Sequence, residues 1–232
     1  MNLPHEVHGV NIVRVTVSDA GAHPPYHHGN LRHALVQAGT ELAREGGPSA
    51  IVLREAARRV GVSPNAAYRH FSALPDLVDA VALDALATLA RSMEAELAQR
   101  CPSGDARRDA VDYLNAVGRG YVHFALNEPG LFAAAFASPK TSHAQDGQHD
   151  QRGQGDSGLS ARELLEDALD KMLDAGVLAP EDRDAAATAA WAAVHGLSQL
   201  LLGPMAGLPP AEREALIDAS LDLVGRGLIV RG

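Results

Sequence analysis

The 232-residue chain is 46% hydrophobic and 21% charged, close to ordinary globular usage and too apolar for disorder throughout. Aromatic residues make up only 4%, and the apolar share is carried by Ala and Leu, both strong helix formers, which argues against an all-β barrel or sandwich and for an all-α fold. A net charge of −9 excludes a surface that is basic throughout, and the single Cys101 excludes an internal disulfide and a multi-thiolate zinc site, so a reducing, cytoplasmic setting is expected.

Residues 1–25 are rich in His, Gly and Pro around one alternating run, 10–17, which reads as a strand without a partner; a loosely ordered arm is expected. The pattern then becomes helical, with Leu31, Leu35, Ala38 and Leu42 on one face, until Gly46-Gly47-Pro48 stops it. A short helix is expected at 53–60, a turn at Gly61-Val62-Ser63 and a third helix at 64–71. Ser63 is a favourable N-cap, and Pro64 suits the first helical position. Two short helices joined by a turn containing Gly form the helix-turn-helix pattern, whose second helix can enter the major groove of DNA.

Further helices are expected at 75–99, 107–127, 129–137, 160–175, 180–202 and 210–229, with Pro near the starts and Gly after the ends. Residues 138–158 are rich in Gly, Gln, Asp, Ser and His and read as a solvated, flexible loop. The resulting division is an arm at 1–25, a helix-turn-helix unit at 26–74 and a helical body at 75–232. Charge follows the same division: residues 27–72 sum to +3 and residues 73–232 to −11. No uninterrupted apolar stretch reaches the roughly 18 residues needed to span a bilayer, and residues 1–10 lack the basic start and apolar run of a signal peptide, so no membrane partner is expected.

Residues 53–71, with the Gly61-Val62-Ser63-Pro64 turn and the ending Tyr68-Arg69-His70-Phe71, resemble the DNA-binding head of TetR/AcrR-type transcriptional regulators. Tyr26-His27-His28-Gly29-Asn30-Leu31, residues 121–136 and Trp191-Ala192-Ala193-Val194-His195-Gly196 resemble the subgroup whose TetR-like C-terminal domain carries a Trp-His-Gly signature. The resemblance covers about residues 24–230. It implies a three-helix head on a larger ligand-binding and dimerisation body, and a sequence-specific DNA-binding regulator, chiefly a repressor, released from its operator by a small-molecule inducer. It also implies a homodimer formed through the last two long helices, with Trp191, Leu197, Leu201, Leu221 and Val224 in or behind the interface.

In the head, small side chains at Ala56, Ala57, Ala66 and Ala67 allow close helix approach, while Leu35, Ile51, Val60, Val62 and Phe71 fill the space between. The candidate DNA-binding residues are Arg54, Ser63, Pro64, Asn65, Ala66, Tyr68, Arg69 and His70. Asn can pair with adenine, Arg with guanine, and Ala or an aromatic edge can pack on a thymine methyl. The resemblance implies phosphate contacts for Tyr68 and His70 and a reach from the second helix for Arg54. The sequence departs from its relatives at Leu74, where many carry Lys, and at Val52 and Leu53, where a capping Ser or Thr is common; the first departure removes a phosphate-binding charge.

In the body, Tyr121, Phe124, Phe132, Phe136, Met172, Trp191 and His195 are the candidate inducer-binding residues, apolar with two polar groups, as enclosed ligand sites are. The same residues also suit a plainly packed core. The alternative function is a helical small-molecule-binding or enzymatic protein that does not act on DNA. Eleven histidines invite it, but none forms a zincin-type pair, His27-His28 face differently and His143 and His149 lie in the polar loop. No phosphate loop or nucleophile elbow is present, so neither catalysis, a cofactor nor a metal is expected.

Overall fold

A computed structural model of the chain describes residues 31–138 and 153–228. The expected arm and its strand-like run, His27, His28, most of the polar loop and Ile229 lie outside the described residues.

Among the described residues there is no strand; the backbone is helical apart from turns and one isolated bridge between Gln154 and Ser160. Helix α1 (Leu31–Gly46) buries Leu31, Leu35 and Leu42, as its spacing predicts. A 3₁₀ turn, Pro48–Ala50, leads into α2 (Leu53–Val60), and α3 follows at Pro64–Tyr68. Helix α4 (Leu74–Ala98) starts one residue before the expected Pro75. Asp76 caps it, accepting from the Ala73 N–H at 3.1 Å and the Ser72 hydroxyl at 2.5 Å. Helix α5 (Ala106–Asn127) is capped by Asp105, whose carboxylate accepts from the Arg107 and Arg108 N–H groups.

Next come α6 (Pro129–Ala135), α7 (Ala161–Asp174), α8 (Arg183–Leu202) and α9 (Pro210–Gly227). Ser160 and Glu163 cap α7 reciprocally, satisfying two backbone N–H groups that would otherwise lack partners. Helix α8 begins later than the expected 180 because Pro180–Asp182 form a 3₁₀ turn.

The core is continuous from α1 to α9. Helix α4 packs on α1 near its start and along α5, while α5 in turn contacts α6, α7, α8 and α9. Polar ties mark these seams. Thr40 of α1 donates to Asp84 of α4 at 2.8 Å, Ser92 of α4 to the Gly120 carbonyl at 2.9 Å, and Tyr113 of α5 to Asp167 of α7 at 2.7 Å.

The described ends of the expected flexible loop are anchored. Ser138 is buried and donates to Asp79, and Glu94 accepts from the Asp156 and Ser157 N–H groups and the Ser157 hydroxyl. By length and composition alone, residues Pro180–Leu202 could cross a membrane, although only 22% of the apolar window is buried within the chain.

Candidate nucleic-acid interface

The turn between α2 and α3 follows from its residues. Gly61 ends α2 in the left-handed region, φ 78°, where a Cβ would be strained, and the Val62 N–H bonds back to the Ala57 carbonyl at 3.0 Å. Ser63 then starts α3: its hydroxyl accepts from the Ala66 N–H at 3.3 Å, and Pro64 occupies the first turn. Ala56, Ala57 and Ala67 are fully buried, so the helices meet with little between them. Leu35, Ile51 and Phe71 fill the head core as expected; Val60 and Val62 are half-buried at its edge.

Helix α3 is shorter than the expected 64–71. Arg69 has helical dihedrals as the C-cap, but the His70 N–H bonds to Ala67 three residues back, and Phe71 turns into the core beneath the Arg32 guanidinium, 4.9 Å from its ring centre. Arg54, Ser63, Pro64, Asn65, Tyr68, Arg69 and His70 are all exposed on this one region. Ala66, expected both to pack and to face outward, is half-buried. Leu74 is 42% exposed, and Val52 gives α2 no side-chain cap, as expected.

The charges of the head are redistributed by pairing. Arg58 and Arg59 both bond Glu55, Arg59 also holds Glu45 through two nitrogens at 2.6 and 2.7 Å, and Arg44 pairs with Glu41 and Glu128. The Arg58 guanidinium in particular holds the Glu55 carboxyl down to about 2. Among the described residues, Arg32, Arg54 and Arg69 have no ion-pair partner; Arg32 is half-buried over the Phe71 ring, so the exposed unpaired arginines of the head are Arg54 and Arg69.

In the body, α5, α6 and α8 bring together Tyr121, Phe132, Phe136, Trp191 and His195, with neighbouring ring centres 5.0–6.4 Å apart. Phe124 stands edge-on to Phe132 at 6.4 Å, and Met172 is fully buried on α7. The Tyr121 hydroxyl and His195 Nδ1 are 2.8 Å apart. Burial pushes the phenol up and the imidazole down, which favours a neutral pair in which the phenol donates to Nδ1 and the ring N–H sits on Nε2. Trp191 is 41% exposed and forms the rim rather than the floor of the cluster. Two clefts of about 290 and 550 Å³ open beside the N-terminal half of α5, and none of the seven candidate residues lines either.

A short exposed helix set after a tight turn, on a body built from long packed helices, is a helix-turn-helix architecture. Residues 114–224 match the family described as tetracyclin repressor-like, C-terminal domain. That domain and this all-helical fold are similar to those of TetR-type proteins. The matching description does not name the Trp-His-Gly subgroup, which rests on residues 26–31, 121–136 and 191–196 of the sequence.

Among solved structures, the chain is similar to a protein of unknown function from Rhodococcus sp. RHA1, with 29% identity, a TM-score of 0.67 and coverage of 90% of this chain and 100% of that one. It is also similar in fold to the TetR family transcriptional regulator PfmR from Thermus thermophilus, at 20% identity and a TM-score of 0.51, covering 84% of this chain and 99% of that one. RolR, solved in complex with resorcinol, shares 16% identity and a TM-score of 0.58, covering 88% and 95% of the two chains. No curated protein matches the chain.

Proposed function

We propose that the protein is a homodimeric, cytoplasmic transcriptional repressor that grips operator DNA with α3 and is released by a small aromatic inducer. The observation that carries the reading is the exposed row Arg54, Ser63, Asn65, Tyr68, Arg69 and His70 on a rigidly capped turn. In this reading residues 26–74 form the DNA-binding unit and residues 75–232 the ligand-binding and dimerisation unit. Tyr68, His70 and Arg54 position the head on phosphates, while Asn65 and Arg69 read base edges.

Dimerisation is supported by an unpartnered apolar surface. Ala189, Ala192, Gly196 and Leu200 lie exposed along α8, and Ala215, Ala219 and Leu223 along α9. A second copy related by a twofold axis would cover both stripes and present two α3 helices to half-sites about one helical turn apart, or a multiple of it. The burial of Leu201 and Leu221 within the chain suits residues that support this surface from behind.

Inducer action is supported by the position of α6. Its Phe132 belongs to the ring cluster, while its first turn abuts the end of α1 at Gly130 and through the Arg44–Glu128 pair. A ligand wedged among Tyr121, Phe124, Phe132, Phe136, Met172, Trp191 and His195 would displace α6 and with it the head. It shifts the protein only by preferring the head position that does not fit DNA. The test is binding to a selected operator fragment: Arg54→Ala and Tyr68→Ala should each weaken it on the order of tenfold, with helicity and assembly unchanged. Parental affinity in both variants would show that another surface meets the nucleic acid.

A further inference from the structure

His123 of α5 is held on both sides. Its Nδ1 lies 2.9 Å from Glu96 of α4, and its Nε2 lies 3.0 Å from Glu214 of α9. A neutral imidazole has one N–H and one lone pair, so it can donate to one of these carboxylates and must turn its lone pair toward the other. Only the protonated ring donates to both. One turn earlier, Arg119 reaches the same two helices, 3.7 Å from Glu96 and paired with Asp218. Among the described residues, the charged groups around the ring are thus Glu96 from α4, Glu214 and Asp218 from α9, and Arg119 from its own helix.

We propose that His123 is a proton-operated clasp that fastens α9 to α4 across α5. With the ring charged, both carboxylates are bound. When it loses its proton, one arm opens, because the neutral ring has a single N–H to donate. Glu214 is the arm that leaves, because its side chain is 49% exposed and can turn to water, whereas that of Glu96 is 18% exposed and also faces Arg119. Helix α4 begins directly after the head, and α9 carries part of the apolar surface assigned to the dimer. The proton state of one side chain therefore sets how firmly the helix leading from the head is tied to the dimerising end. That consequence rests on the proposed function; the clasp itself does not.

The test uses full-length protein at one fixed concentration, because assembly makes melting temperature concentration-dependent. Stability supplied by a proton bound in the folded state is present at low pH and lost as pH rises. Between pH 6 and pH 8, the parent should therefore lose roughly 2–4 °C more in melting temperature than His123→Gln, which holds no such charge. Equal pH dependence in the two proteins would overturn the clasp. Glu214→Gln, at the exposed rim, provides a second arm of the test should His123→Gln fail to fold. It should move the pH at which the His123 ring resonances change in NMR to a lower value, and an unmoved titration would overturn the proposal equally.

Discussion

Replacing Gly130 with Ala puts a methyl group where the end of α1 already stands. The added Cβ would lie 2.1 Å from the Ala43 carbonyl oxygen and 2.9 Å from that of Arg44. Carbon-to-oxygen contacts ordinarily begin near about 3.3 Å, so α6 must retreat by about 1 Å. Both obstacles are backbone atoms, and no change of rotamer removes them. Overpacking of this kind costs about 1–3 kcal/mol. Against it stands a gain of up to about 1 kcal/mol from exchanging Gly for Ala in a helix. A contact of 2.1 Å with backbone places the cost at the upper end of that range, so the net expectation is a loss of about 2 kcal/mol, or roughly 4–8 °C in melting temperature for a chain of this length. Thermal melting followed by helical circular dichroism, at fixed concentration, measures it. Operator affinity should fall as well, because the head is pushed from its seat on α6. An unchanged or raised melting temperature, the result helix propensity alone would give, would falsify the close approach of α1 and α6.

Two further outcomes follow from burial. Leu223 is 66% and Leu200 47% exposed, so Leu200→Asp and Leu223→Asp should leave the chain folded while shifting sedimentation from dimer to monomer; variants that remain dimeric would move the interface away from α8 and α9. Burial holds the His195 imidazole below its ordinary 6.5, so as pH falls through that value the unfolded chain takes up a proton that the folded chain resists, and stability declines on the acid side. His195→Gln should flatten that decline in urea unfolding between pH 7 and pH 5, and identical profiles for the two proteins would remove the assignment.

The head was legible because its signals act over a few residues. Gly61 permits the left-handed turn, Ser63 supplies an acceptor three residues ahead of a free N–H, and Pro64 is already set for a helix. The same holds for the apolar stripe of α1 and the capping pair Ser160 and Glu163. The end of α3 was not legible, since Phe71 leaves the helix to fill a core whose walls include Leu35 and Ile51, both far back in the chain. The seven candidate body residues could be singled out by type, but their spacing did not reveal that Trp191 stays at the surface while Met172 sinks from view.

Sequence alone determined the all-helical class, the tight turn before α3 and which side chains of the head point outward, because caps, turns and helical periodicity are settled between near neighbours. Tertiary structure alone decided which charges remain available. The excess of arginines in the head suggested a broadly basic surface, yet Arg59 is paired with Glu45, fourteen residues earlier, and Arg44 with Glu128, eighty-four residues later. The approach of Gly130 to α1 and the bridge from Glu96 through His123 to Glu214 are of the same kind. Coulombic and steric contacts depend on distances of a few ångströms in space, and only the packing of whole helices sets those distances for residues so far apart in the chain.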